Sequence, residues 1–419
     1  MAFLRSGAGL TLDLPSPAEA AEITAIETEE AAVQTPVGAS LRVTPLVREG
    51  ELVPRGGAVA CLRHAPDICF VAPLAGRVAR IDLLPGRRLS EIVLFREAGG
   101  GIERHDTAPA ETPAGLRRLM QGAGVWPLLR RRPFGGMPAR DETPAAIVVM
   151  VIDTRPFAPS PALAIEGREE DFARGLSALE RLTDGPVLVC QPADAPVIGA
   201  ARGRVRGVGC GPRHPQGSAG IRIHQTFPAG LDMPVWDIHA EDVAALGALL
   251  ATGELPMTRR VHIAGAALRE AQVLHTHPGA DLRQLTRRIL QRGPHDLISG
   301  SPLDGHSAQW LAPRHRQVTA LPRDAAAPRR HWLIAALTRS GHAPAIPTAA
   351  LTQAFGKALP AAPFIRALSA GDDETAMKLG LLSLLEEDVA LADYVLSQGG
   401  RLGSQLRAML DRVQAEFAA

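Results

Sequence analysis

The residues able to do chemistry in this chain are few and scattered. Lysine occurs only at Lys357 and Lys378, and the other 43 of the 45 basic residues are arginine. No lysine-linked group can therefore precede position 357. A Walker-type phosphate loop, which needs a Lys after its glycines, has none to use there. The four cysteines, Cys61, Cys69, Cys190 and Cys210, form no C-x-x-C pair. That spacing carries neither a zinc ribbon nor an iron–sulfur run, and so low a count suits a reducing compartment. His275 and His277 stand two apart in Leu274-His-Thr-His-Pro278 with no acid or thiol beside them, a weak metal signal. No metal is expected. Gly207-Val-Gly-Cys-Gly211 lacks the full dinucleotide spacing and runs into Pro212 and Pro215 rather than a helix. Asp153 follows a strand pattern, where it could orient a ligand or cap the next turn. The run Arg130–Arg132 could hold an anion, or stand as a solvated or docking face. No catalytic residue is assigned.

These residues must be positioned by several domains, since 419 residues exceed one ordinary core. Basic and acidic residues nearly cancel, 45 against 44, which argues against nucleic acid as a partner. The longest wholly apolar run, Ala145–Ile152, is far short of the ~20 residues of a membrane-spanning helix. The first residues, interrupted by Arg5 and Asp13, do not read as a secretory signal, so a cytoplasmic location is expected.

Residues 1–99 hold short apolar runs between Gly/Pro turns. Two half-units, Val47–Gly57 and Val71–Ile81, share a strand-turn-strand form. They resemble the flattened barrel of biotinyl and lipoyl carriers, a barrel-sandwich hybrid. The hairpin that would display a modified lysine, Cys61-Leu-Arg-His-Ala-Pro-Asp-Ile-Cys69, has no Lys, so carrier chemistry is excluded. Residues 100–255 begin with a helix capped by Thr112 and continue as alternating strands and helices. Strands are expected at Ala145–Ile152, Pro186–Cys190 and Gly220–His224, with helices at Glu169–Leu182 and Ala240–Ala251. This is Rossmann-like in outline. Residues 256–322 form a compact α/β unit with strands from Arg260, Asp296 and Val318 and a helix Leu282–Ile289. Residues 323–330 read as a linker. The remainder to 419 is helical, with helices at Pro363–Leu368, Glu374–Leu384, Asp388–Leu396 and Leu402–Phe417; Glu386-Glu-Asp388 stands where it could cap a helix start.

In this order the modules resemble the NqrA family, which are components of sodium-translocating NADH:quinone oxidoreductases. Stretches that carry the resemblance include Gly9-Leu-Thr-Leu-Asp-Leu-Pro15, Val151-Ile-Asp-Thr-Arg-Pro-Phe157, Leu297-Ile-Ser-Gly-Ser-Pro-Leu303 and Glu386-Glu-Asp-Val-Ala-Leu-Ala-Asp-Tyr-Val395. The resemblance implies a β-grasp unit of the SLBB type at 256–322. It also implies a peripheral subunit, on the inner face of the bacterial membrane, in a complex that uses NADH, flavins, iron–sulfur centres and ubiquinone to export Na⁺. This subunit is expected to bind no redox cofactor itself. Cousins of the RnfC type carry a glycine-rich flavin loop; here Trp126, Leu128 and Leu129 stand in its place in the stretch Gly124–Phe134. Two C-terminal cysteines expected of the family are replaced by Ala392 and Leu396. The other Nqr subunits are the expected partners. Ubiquinone is a possible ligand, with Arg132, Phe134 and Met137 as candidate contacts. An RnfC-like electron carrier and a non-catalytic binding protein are the alternatives.

Overall fold

The structure, a computed structural model, describes residues 8–199, 201–323, 348–397 and 399–417. Apart from Arg323, the expected linker lies outside these residues. The barrel is built from two antiparallel sheets. One runs in the order Glu30–Val33, Arg88–Arg96, Gly76–Leu84, Leu52–Val53; the other in the order Val43–Pro45, Ala58–Leu62, Ala65–Val71. Val43, Val59, Phe70, Leu74, Ile92 and Leu94 fill the space between them. The carrier-type hairpin turns at Arg63 and His64, with Cys61 directly opposite Cys69. Its other flank is not free. Ile68 belongs to the core of the next domain, and Leu62, Ala65 and Val71 pack on that core.

The α/β domain is a six-stranded sheet in the order Ala201–Arg202, Val205–Cys210, Val187–Pro192, Ala146–Met150, Val235–His239, Arg130–Arg132. The four inner strands are parallel, and the two edges antiparallel. Helix Pro113–Gly122 starts as expected: Thr112 Oγ1 accepts from Gly115 N at 3.0 Å. Helix Glu169–Leu179 packs on helix Ala240–Thr252 at close range. A Cβ at Gly175 would overlap Val243 O, and one at Gly247 would overlap Asp171 O, so small residues set the approach. One expected strand is wrong. Gly220–His224 lies in a helix, Ala219–Thr226, and the inner strands come instead from Val205–Cys210 and Val235–His239. Ile221 and Ile223 alternate as in a strand. The helix nonetheless forms, because Asp388 from the C-terminal domain accepts from its Gly220 N at 2.9 Å, a cap no local pattern could reveal.

The third unit is a mixed sheet in the order Thr24–Ala25, Gln272–Thr276, Arg259–Ala264, Gln317–Pro322, His295–Ser299, His306–Ser307, with helix Leu282–Thr286 across it. Its first strand comes from the N-terminal segment. That segment touches the α/β domain at Leu10, runs along Ala271 at Glu19, and pairs Thr24 with Leu274 before entering the barrel.

The C-terminal part is helical: Ala349–Ala354, Ala361–Ala370, Asp373–Lys378, Glu386–Val395 and Arg401–Phe417. The single helix expected over Glu374–Leu384 is broken. Gly380 has φ 108°, which no helix interior permits, and a short turn Leu381–Ser383 follows it. Ala392 is buried in this core and Leu396 packs on it.

Candidate functional site

The arginine run forms an edge strand opposite Val235–Asp237. Alternation sends Arg130 and Arg132 to one side and Arg131 to the other, where it meets Glu142 at 3.1 Å. Arg132 has no exposed surface. Its Nη1 bonds Asp237, and its Nη2 reaches Glu387 at 3.0 Å and Asp388 at 3.2 Å. Arg130 adds Asp237 at 3.1 Å and Glu387 at 2.6 Å. Burial pushes the Asp237 carboxyl up, but Arg130 and Arg132 outweigh it and hold it below the ordinary range. Burial raises Glu387. The cluster is thus neither a solvated face nor an open anion site. It is an internal clamp between the sheet edge and the C-terminal helices.

The three candidate quinone contacts do not meet on one surface. Arg132 is spent in this clamp. Phe134 packs on the C-terminal helical core, with φ 77° and its carbonyl accepting from Arg407 at 2.8 Å. Met137 packs between the barrel and the α/β core. Trp126 is also core: its indole stands edge-on to Trp236 at 5.2 Å and donates to Pro138 O at 3.0 Å.

Parallel sheets offer ligands the crevice beyond the carboxyl ends of their strands. Here that crevice is packed with the chain's own neighbours. Asp153 accepts from Arg155 N at 3.0 Å, the turn cap expected of it, and also pairs with the Arg155 guanidinium. Arg155 extends to Asp304 of the β-grasp at 3.0 Å. Burial would raise Asp304, but Arg155 overrides it and holds the carboxyl down to about 2. His214 exchanges backbone hydrogen bonds with Leu10 at 2.7 and 3.1 Å, and its ring meets Thr154. Gln317 donates to Pro156 O at 2.7 Å. Burial lowers His214 to about 4 and His315 to about 3, so both rings are neutral near pH 7.

A cleft lies elsewhere, where barrel, α/β domain and β-grasp meet, with a free interior of about 70 Å³. Val33, Phe70 and Val71 of the barrel face Leu128, Ala245 and Met257 across it. Its polar end is Arg259, held by Asp242 at 2.7 Å; Arg316 completes the network to Asp242 at 2.7 Å and Glu241 at 2.9 Å. The two acids sit in the first turn of helix Ala240–Thr252, where the helix dipole favours them. Arg259 Nε is buried without a partner. Apolar walls ending in a guanidinium suit a flat, weakly polar ring bearing a carbonyl. Sequence reading missed this cleft, because its walls come from segments far apart and none carries a motif. Among the described residues no three His, Cys, Asp or Glu gather as a metal site. His275 is exposed, while His277 is buried with Nε2 3.0 Å from Thr28 Oγ1, so the two histidines do not converge.

A barrel-sandwich hybrid, an α/β domain and a β-grasp in this order define a class of respiratory-complex subunit. Family models match accordingly: the NqrA N-terminal barrel-sandwich hybrid domain over residues 5–97, the NqrA second alpha/beta domain over 112–255, and the NQRA C-terminal domain over 261–309. The NqrA component of the Na(+)-translocating NADH-quinone reductase of Alcanivorax borkumensis is 31% identical over 412 residues, covering 90% of this chain and 91% of that one. Those of Actinobacillus succinogenes and Neisseria meningitidis serogroup A are 32% and 31% identical, over 90% of this chain and 91% and 92% of theirs. The chain belongs to the NqrA family of Na⁺-translocating NADH-quinone reductase components. A solved NAD⁺-reducing [NiFe]-hydrogenase in its air-oxidized state is 14% identical with a TM-score of 0.37, covering 72% of this chain and 64% of that one, too slight a likeness to argue from.

Proposed function

We propose that this chain is the peripheral NqrA component of a Na⁺-translocating NADH–quinone reductase, docked on the inner face of the bacterial membrane through its partner subunits. The observation that carries the reading is kinship along nine-tenths of the chain to proteins of that name. Among the described residues no helix is long and apolar enough to cross a membrane, which suits attachment through partners. In this reading the flavins and iron–sulfur centres reside in the other subunits, and this one contributes scaffold and part of a quinone path. The three-domain cleft is the better candidate for quinone contact than the loop around Phe134. Its apolar walls would take the ring, and the Arg259 guanidinium at the polar end would face a ring carbonyl.

Affinity purification from a detergent extract tests the first part. The chain should co-purify with membrane and flavin subunits; recovery alone would sink the assignment. A photoreactive ubiquinone analogue applied to the intact complex tests the second. It should label peptides around Val33, Leu128 or Met257. Met257→Trp, which fills the cleft, should raise the KM for ubiquinone about tenfold, a loss of ~1.4 kcal/mol, with the complex still assembled. Label confined to other subunits, with an unchanged KM, would remove the cleft from the quinone path and leave the role in the complex intact.

A further inference from the structure

The chain as a whole is close to neutral, with 45 basic against 44 acidic residues. One place departs from that balance. In the β-grasp, helix Leu282–Thr286 and the turn after it carry Arg283, Arg287, Arg288 and Arg292, all exposed. Arg269, also exposed, joins them from the facing segment. Its backbone N–H donates to Ile289 O at 2.7 Å and its Nη2 to Arg288 O at 2.9 Å. Leu282, Leu285 and Ile289 are buried in the β-grasp core beneath, so the arginines project from a fixed platform. Among the described residues no carboxylate forms an ion pair with any of the five. The bordering acids are used otherwise. Asp281 caps the helix by accepting from Arg283 N at 3.0 Å, Glu270 takes Gln272 Nε2 at 3.1 Å, and Asp296 pairs with Arg323. Glu29 stands beyond Gln284, whose Oε1 accepts from Glu29 N at 2.8 Å.

Such a cluster does not serve the local fold. Arg283 and Arg287 are four apart, and like charges at that spacing weaken a helix. Their mutual repulsion is relieved by an anionic surface laid against them. A protein partner would need an apolar anchor as well, because interface centres are aromatic or aliphatic and poor in charge. Among the described residues no large apolar side chain is exposed between Met233 and Tyr394, so this face offers none. A broad anionic surface needs no anchor. Guanidinium groups take phosphate oxygens two at a time, and the cytoplasmic leaflet of a membrane presents anionic headgroups side by side.

We propose that this arginine face of the β-grasp rests on anionic phospholipid headgroups, a direct contact with the bilayer beside the attachment through partner subunits. The inference rests on the reading of the chain as a component docked on the inner face of the membrane. The full chain, purified without partner subunits, should sediment with vesicles of phosphatidylethanolamine and phosphatidylglycerol at about 0.1 M salt, where charges still act over ~10 Å. It should not sediment with vesicles of phosphatidylcholine, and about 1 M salt should release it. Arg287→Gln with Arg288→Gln should lower the partition coefficient about 25-fold, near fivefold for each charge removed. Arg202→Gln with Arg206→Gln takes the same charge from exposed positions at an edge of the α/β sheet and should leave the partition unchanged. Equal binding to both kinds of vesicle, or an equal loss from either pair of substitutions, would overturn the proposal. So would vesicle binding indifferent to Arg287 and Arg288 when the same two substitutions release the chain from the detergent-solubilised complex, since the face would then meet an acidic protein. The vesicle assay needs no partner subunit. Its failure leaves the assignment to the complex standing, and recovery of the chain without those subunits sinks that assignment and not the vesicle result.

Discussion

Asp388 is the residue on which most of the inter-domain polar network converges. One oxygen accepts from Ser218 Oγ and Gly220 N; the other accepts from Leu385 N at 2.8 Å and from Arg132. A single carboxylate thereby starts two helices and balances a buried arginine. Asp388→Asn keeps the shape but removes the charge, leaving Arg132 with too little compensation. The expected loss of stability is ~3–5 kcal/mol, the cost of breaking a buried pair from one side. Chemical denaturation of the purified chain would show it; a change under about 1 kcal/mol would mean that Asp237 and Glu387 suffice. Residues of this kind were only half legible. The sequence put acids at a helix start, which is where Glu386–Asp388 stand. That Arg132 would be their partner depends on a contact across 256 positions. A row of three arginines reads as solvated until its counter-charges are found.

At the scale of elements, what was legible is what is local. The Thr112 cap, the Glu169–Leu179 face and the apolar strand Ala146–Met150 follow from spacing and capping alone. The misread elements depend on distant partners or on glycine. Gly207 and Gly209 lie inside a strand that a glycine run conceals, with Gly207 pressed on the Gln191 side chain. Gly247 makes the opposite use of its small size, letting helix Ala240–Thr252 touch the backbone of the helix beside it. Gly247→Val should push the two helices apart and destabilise the domain by ~1–3 kcal/mol, the usual cost of overpacking. Thermal unfolding followed by circular dichroism would check this, and an unchanged midpoint would show that the helices can slide.

For the whole molecule, the junction between the α/β domain and the β-grasp sets a pH response. His214 and His315 are neutral there, with folded values of about 4 and about 3 against 6.5 when exposed. Below pH 6.5 the unfolded chain takes up protons that the folded chain refuses, so stability falls as pH drops toward 4. Asp304, held to about 2 against 3.8, extends the decline at lower pH because its protonation weakens the Arg155 pair. Denaturation midpoints across pH 7 to 4 should therefore decline, and His214→Gln with His315→Gln should flatten the slope. An unaltered slope would place the acid sensitivity elsewhere. The cleft belongs to this scale too, which is why sequence reading missed it: it exists only where three domains meet.

The N-terminal segment gives the architecture a temporal side. Leu10 bonds to His214, Glu19 bridges to Ala271 and Thr24 pairs with Leu274. On the ribosome, residues 8–25 emerge long before any of these partners exist, although domains tend to fold in order as they appear. The barrel and the α/β domain precede the β-grasp in the chain. The strap that binds them to the β-grasp must wait until synthesis passes residue 275. A piece made early is thus fastened late, and a nascent chain stalled before that point would leave its leading end open to proteases.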